Sequence, residues 1–213
     1  MTTLDIRRAM RDDYANILQL EHENYVENVP DALRKDGFLS AKMSEAQLDR
    51  IATDLGIAVA YDDGTFLGFF CVSRMEHWPL ESVVHRLVES LRTHYRDERV
   101  TDPDKFCIFG PMCLSPFARG KGVLPKLYEC AIRNLKGCMT TAAGFISVHN
   151  PRSLQAIGKL DWQPVGQFSW GDREYHAMIR DISENPNTAV RDDSMKHHSQ
   201  GAIGWPDRAM AAT

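Results

Sequence analysis

Residues 106–137 contain the feature that most restricts the possible fold of this chain. The run FCIFGPMCL at Phe106–Leu114 is almost entirely apolar, which is typical of a central strand covered on both faces. The turn SPFARGKG follows. Apolar residues then recur at helical spacing, from Val123 through Leu127 to Leu135, and Gly137 marks the end. The sequence therefore predicts a strand, a glycine-containing turn and a helix in that order.

A second strand, predicted at Gly144–His149, leads directly to Asn150 and Pro151. Asparagine is a good helix cap and proline fits the first helical position, so another helix is expected there. Before this unit, the segment YDDGT at Tyr61–Thr65 predicts a tight hairpin, because Asp-Gly readily adopts positive φ. The early part of the sheet is therefore expected to be antiparallel, and the later part to contain a βαβ crossover.

The remaining elements follow from apolar periodicity. Further strands are predicted at Leu4–Arg8, Ile57–Tyr61, Thr65–Met75, Val165–Trp170 and Glu174–Ile179. Helices are predicted from a cap near Asp12, over Ser44–Leu55 and over Leu80–Tyr95.

Composition narrows the functional class. The 213 residues carry a formal net charge of -4, which argues against a general surface for nucleic acid or anionic membranes. No secretory signal and no apolar run of the roughly 18 residues needed to span a bilayer is seen. We therefore expect a cytoplasmic protein with one domain over residues 1–183 and a polar tail over 184–213.

The cysteines do not indicate disulfides or a metal site. Their number is odd, no CxxC pair occurs, and most lie in apolar stretches, which predicts reduced buried thiols. They are Cys71, Cys107, Cys113, Cys130 and Cys138.

The turn SPFARGKG, between the apolar strand and the following helix, favours anion binding, because glycine-rich backbone at a helix start presents N–H groups to phosphate. A nucleotide-hydrolase loop requires Ser or Thr after Gly-Lys, but here Gly122 follows Gly120 and Lys121. A dinucleotide-binding fold is also a poor match, since the turn follows a hairpin sheet and lacks G-x-G-x-x-G.

Two motifs in order, P-x-x-R-G-K-G-V after the apolar strand and N-P-x-S followed by K-L-D-W, resemble the GNAT N-acetyltransferase superfamily. The resemblance covers Leu4 to Asp181 in element order and is most specific between Met112 and Trp162. It implies an α/β (α+β) fold with a mixed, mostly antiparallel sheet of about seven strands flanked by helices. The fourth and fifth strands would splay apart, with the pantetheine arm of acetyl-CoA between them.

The resemblance also implies which residues bind acetyl-CoA as cosubstrate, with no metal. Main-chain N–H groups at the turn would cradle the pyrophosphate, with charge added by the two cations among them; these residues are Arg119, Gly120, Lys121, Gly122, Val123 and Leu124. Main-chain groups of Met112, Cys113 and Leu114 would bind the pantetheine and the thioester carbonyl. Asn150, which is also a helix cap, and Ser153 would approach the cofactor arm.

Three residues depart from the usual family pattern. Leu124 stands where glycine or alanine is common, and the following Pro125 cannot donate a hydrogen bond. Asp161 replaces a glycine at a left-handed helix end. Ile157 lies where many relatives carry a tyrosine thought to protonate the departing thiolate. A thiol with a pKa of roughly 8.5 leaves with little help from an acid, so transfer remains possible.

The implied reaction is direct attack of an amine on the thioester, with no covalent role for Cys113. The candidate bases are His149, Glu21 and His22, with His176 as a further one. Tyr25, Phe38 and Trp78 are candidates to shape the acceptor pocket or simply to pack.

The acceptor stays open between a small-molecule amine and a protein amine, and a homodimer is possible. A catalytically impaired acyl-CoA sensor or scaffold is the alternative function.

Overall fold

The structure, a computed structural model, describes residues 4–118, 121–135 and 137–183. The predicted tail at 184–213 lies outside the described residues. So do Arg119 and Gly120, two members of the predicted phosphate cradle.

One sheet of seven strands runs through the molecule in the order β1-β2-β3-β4-β5-β7-β6. The strands are β1 Leu4–Arg8, β2 Ile57–Asp62, β3 Thr65–Ser73, β4 Phe106–Leu114, β5 Thr141–Ser147, β6 Gln163–Trp170 and β7 Arg173–Asp181. Only β4 and β5 pair in parallel, and all other neighbours are antiparallel. The predicted mixed, mostly antiparallel sheet is confirmed.

The helices begin where the sequence supplies caps. They are α1 Tyr14–Asn24, α2 Glu45–Thr53, α3 Val83–Thr93, α4 Val123–Asn134 and α5 Pro151–Ile157. The Ser44 side chain caps α2 and the Ser82 side chain caps α3, each accepting a main-chain N–H. Because Ser82 sets the start of α3, this helix begins three residues after the predicted Leu80.

Strand bounds differ from the prediction mainly at β5, which runs from Thr141 to Ser147 rather than over Gly144–His149. The two alanines near its start have low strand propensity, so the sequence pattern did not indicate a strand there. His149 consequently lies in the turn after the strand. The predicted β2–β3 hairpin is confirmed, with Asp63 and Gly64 at φ of 48° and 75°.

Helices cover both faces of the sheet and bury two cores. On one face, α1, α2 and α3 contribute Ile17, Leu48 and Leu87, which are fully buried against the sheet. On the other face, α4 contributes Val123 and Leu127, which pack among residues from β1 to β5. Each strand residue therefore belongs to one face or the other, with the period of two expected for a covered sheet.

The parallel strands β4 and β5 separate soon after they meet. Their pairing covers only Phe106 with Thr141, Cys107 with Ala142 and Ile108 with Ala143. Beyond Ile108, β4 continues beside β3 and β5 continues beside β7. The predicted splay of the fourth and fifth strands is confirmed, and it leaves a gap in the middle of the sheet.

The described cysteines carry no disulfide, and Cys138 differs from the other four in being exposed rather than buried. Within the described ranges, no helix combines the length and apolar character needed to cross a membrane.

Gly68 on β3 packs directly against β4 and leaves no room for a side chain. A Cβ there would overlap the main-chain oxygen of Cys113 on β4. We expect Gly68→Ala to lower the free energy of unfolding by about 3 kcal/mol, because backbone cannot move aside as a side chain can.

Gly64→Ala is the matched control, because Gly64 also has positive φ but nothing lies within 4 Å of its added Cβ. It should cost only about 1 kcal/mol, the penalty for positive φ itself. Urea unfolding of both variants measures the difference. Equal losses would show that Gly68 is not held against β4.

Candidate active site

A cavity of about 850 Å³, partly open to solvent, fills the gap between β4 and β5. It reaches both cores. The part of the cavity on the α4 side of the sheet is called the α4 lobe. It is lined by Phe70, Phe109, Trp162 and Met178. The α1 lobe is the part on the opposite face, lined by the segment 38–41 and by Trp78, Val84, Ile108 and Phe145. None of the described residues that line the cavity carries a charge.

The main chain of β4 supplies polar groups along the gap. The N–H of Ser115 donates to the carbonyl oxygen of Leu67 on β3 at 2.8 Å. Residues in a regular antiparallel ladder alternate between the two strand edges, so Cys113 also directs its main-chain groups toward β3. The N–H and C=O groups of Met112 and Leu114 consequently point to the gap. Of the three predicted strand residues, Met112 is the one that lines the cavity.

The turn before α4 is described from Lys121 onward. Gly122 caps the helix in a left-handed conformation at φ 63°, which favours glycine. Val123 is buried, and the N–H groups of Val123 and Leu124 belong to the first turn, where α-helices leave such groups without helical partners. Pro125 sits within the same first turn.

Lys121, predicted to attract phosphate, instead pairs its ammonium with Asp62 at the end of β2, at 2.5 Å. Asp62 is otherwise largely buried, and its Oδ1 has no partner among the described residues. The cation is therefore already balanced by a carboxylate, and it would have to exchange this partner to contact a phosphate.

Asn150 is buried, and both of its side-chain polar atoms have protein partners. Its Oδ1 accepts the N–H of Ser153 at 3.1 Å, and its Nδ2 donates to the Phe38 carbonyl oxygen at 3.2 Å. The predicted role as helix cap is confirmed, and the second bond ties the segment 38–41 to α5. Ser153 is half-buried and lines the cavity with Asn150.

The candidate bases lie in different surroundings. Glu21 on α1 is 1% exposed, and its Oε1 accepts the N–H of Met43 at 2.9 Å. Burial raises its pKa from 4.5 to about 7, although the Met43 bond and Lys42 oppose the rise. None of Glu21, His22, His149 and His176 is among the residues that line the cavity, and His22 and His149 are exposed. His176 lies on β7, where burial lowers its pKa.

Glu21 on α1 lies close to β3 and β4. Its charge acts on the thiols of Cys71 on β3 and Cys113 on β4. Burial, together with this carboxylate, raises the pKa of Cys113 to about 12, so the thiol stays protonated at neutral pH. The carboxyl group thus has a pKa suited to proton transfer, whereas the thiol does not suit nucleophilic attack.

Several cavity residues were not singled out by the sequence. Phe38 and Trp78 were, but Phe145, Trp162 and Met178 were not, and Tyr25 does not line the cavity. In the sequence, strand and loop residues of this kind cannot be distinguished from ordinary core residues, because only the separation of β4 from β5 places them beside a cavity. In the described part of the chain, no three His, Cys, Asp or Glu side chains converge as metal ligands.

Glu21→Gln tests whether this carboxyl group is buried at a cost. Because its folded-state pKa of about 7 exceeds the ordinary 4.5, ionisation destabilises the fold as pH rises between these values. The variant should therefore gain about 1 to 3 kcal/mol in unfolding free energy, relative to the parent, between about pH 5 and pH 8.

Glu23→Gln is the matched control, since Glu23 is exposed on the same helix. The change that Glu23→Gln causes in the unfolding free energy, measured with urea, should be the same at about pH 5 and pH 8. A pH-independent effect of Glu21→Gln would contradict the raised pKa.

The sequence matches no model of a known protein family and no curated protein. Solved structures of acetyltransferases are similar in fold. An N-acetyltransferase from Staphylococcus aureus Mu50 is 17% identical, with a TM-score of 0.57 over 84% of this chain and 99% of its own. An acetyltransferase of GNAT family from Streptococcus pneumoniae is 16% identical, with a TM-score of 0.56 over 84% and 99%.

A third structure, yncA from Salmonella typhimurium, was solved with its cofactor acetyl-CoA. It is 15% identical, with a TM-score of 0.55 over 85% of this chain and 95% of its own. At these identities the similarity establishes the fold, and it agrees with the splayed strands and the mixed sheet described above. The chain has the fold of the GNAT N-acetyltransferase superfamily.

Proposed function

We propose that this protein transfers an acetyl group from acetyl-CoA to a primary amine. The observation that carries the proposal is the cavity at the β4–β5 gap, which is apolar and bordered by main-chain polar groups of β4. A long, largely uncharged arm such as pantetheine suits this lining. Acetyl-CoA in the structure of yncA, which shares the fold, supports the same ligand.

The start of α4 is the proposed phosphate site. N–H groups of the first helical turn and the left-handed Gly122 favour an anion at this end. Lys121 joins the site by exchanging Asp62 for phosphate, an exchange that is inexpensive because the lysine side chain is 45% exposed. The sequence also assigns Arg119 and Gly120 to this cradle, and both lie outside the described residues.

The gap edge of β4 is the proposed thioester site. An N–H group of Met112 or Leu114 donates to the carbonyl oxygen, which gains negative charge as the amine attacks. The strand holds this donor rigidly, since its other edge is paired with β3. Preorganised donors of this kind stabilise the transition state without rearranging during the reaction.

Glu21 is the proposed base, acting directly or through one water. The amine nitrogen bonds to the thioester carbonyl carbon, its proton passes to the carboxylate, and the carbon–sulfur bond breaks to release the thiolate of coenzyme A, which takes up a proton from water. The thiol requires little assistance from an acid, which is consistent with Ile157 in the cavity lining where relatives carry tyrosine. Cys113 forms no covalent intermediate.

The alternative is a sensor or scaffold that binds acyl-CoA without transfer. It is favoured by the lack of any tyrosine among the described residues that line the cavity. Release of free coenzyme A in the presence of primary amines, measured by chromatography, distinguishes the two functions. Measurable acetyl-CoA binding with no release across an amine panel would favour the sensor.

Ser153→Trp tests the position of the cofactor arm. Ser153 lines the cavity from α5, so an indole there should obstruct the arm and weaken acetyl-CoA binding at least about thirtyfold. Gln155→Trp on the exposed side of the same helix is the matched control and should change affinity less than about twofold. Titration calorimetry with acetyl-CoA measures both. Equal affinities in the two variants would place the arm elsewhere.

Glu21→Gln tests the proposed base. Without a proton acceptor, kcat/KM should fall about 100- to 1,000-fold, whereas acetyl-CoA affinity should stay the same. In the parent, kcat/KM should rise with pH through about 7, as the raised pKa of Glu21 requires. Glu23→Gln should keep the parent profile. If Glu21→Gln retained both the rate and the pH profile, another group would be the base.

A further inference from the structure

Resting on the proposed function, we infer that the acceptor is a small monoamine with an uncharged apolar body, and that polyamines and other polycations are rejected. The observation is the α1 lobe. It lies on the face of the sheet that carries α1 and Glu21, opposite the α4 lobe and the proposed phosphate site at the start of α4. An amine that reaches the thioester from this side must place the rest of its structure in the lobe.

None of the described residues that line the α1 lobe offers a counter-ion to a second positive charge. Its deepest described residues are Val84, Ile108 and Trp78, which are 1%, 1% and 5% exposed. Transfer of an ammonium ion from water into such surroundings, without a partner, costs much more free energy than transfer of a methyl group. A distal charge on the acceptor is therefore strongly unfavourable, whereas a distal methyl group is favourable.

The polar atoms of the lobe's largest aromatic residue are already used. The indole N–H of Trp78 donates to the Ser73 hydroxyl at 2.8 Å, inside the core. Its main-chain oxygen lies 3.2 Å from Nε2 of His85. Trp78 thus presents carbon surface to the cavity. Apart from main-chain groups, Ser40 is the polar residue that the segment 38–41 contributes.

The wall of the α1 lobe is held in place at both sides, which limits the size of the acceptor. On one side, Leu39 exchanges main-chain hydrogen bonds with Asn24 and Val26 at 2.8 and 2.9 Å. On the other side, Phe38 accepts the Asn150 bond across the gap. Next to it, Asp36 lies 3.7 Å from Arg152 of α5. A lobe whose wall is held in place in this way suits a small molecule better than a protein segment.

The test compares hexylamine with 1,6-diaminohexane, two acceptors of equal chain length that differ by one distal ammonium. With acetyl-CoA and chromatographic detection of free coenzyme A, kcat/KM for hexylamine should exceed that for the diamine at least about 100-fold. A ratio within about threefold, or a preference for the diamine, would overturn the inference.

Ser40→Asp, with Ser40→Asn as its matched neutral control, tests the lobe directly. A carboxylate at this position supplies the missing counter-ion, so Ser40→Asp should raise kcat/KM for the diamine at least about tenfold relative to the parent. Ser40→Asn should leave the diamine rate within about twofold of the parent. An unchanged diamine rate in Ser40→Asp would mean that the acceptor does not enter the α1 lobe.

The outcomes separate this inference from the proposed function. Acetyl-CoA binding and diamine acetylation without a hexylamine preference would overturn the inference alone. No saturable binding of acetyl-CoA in calorimetry would overturn both. Occupation of the lobe by a long acyl chain is the competing outcome. Decanoyl-CoA binding at least about 100-fold tighter than acetyl-CoA would show this, and would also overturn the inference.

Discussion

The separation of β4 from β5 is the constraint on which the rest of the structure depends. Parallel pairing ends after Ile108, because β4 then follows β3 and β5 follows β7. A break in a sheet exposes main-chain groups that normally pair with a neighbouring strand, and such groups need another partner. Here they border an apolar cavity that reaches both faces. A ligand with polar groups spaced along an uncharged arm meets both requirements.

The helices on the α1 face form the side of the cavity that is proposed to bind the acceptor. Glu21 accepts the Met43 N–H and so holds the start of α2 against α1, beneath the segment 38–41. Asn150 holds the other side of this segment. Both side chains therefore have structural partners in addition to their proposed proximity to the reaction. Burial, which outweighs the opposing Met43 bond and the Lys42 charge, is also what gives the Glu21 carboxyl group a pKa near neutrality.

Some predicted site residues already bond to other groups of the protein. Lys121 was expected to contact phosphate, but its ammonium is paired with Asp62, which is 59 positions away in sequence. Asn150 was expected to approach the cofactor arm, but its amide bonds main-chain groups of Ser153 and Phe38. Such long-range partners leave no periodic signal in a sequence. Among the bases, only burial separates Glu21 from the exposed His22 beside it.

The sequence by itself determined the seven strands, the order of elements and the cap at Asn150, because these depend on local periodicity and on the chemistry of turns. It also indicated the anion-binding turn before α4. The tertiary structure decided that the strands separate beyond Ile108, and that Glu21 is the buried candidate base. It also decided that the described residues lining the α1 lobe are uncharged. These properties arise from residues that are distant in sequence and meet only when both faces of the sheet are covered.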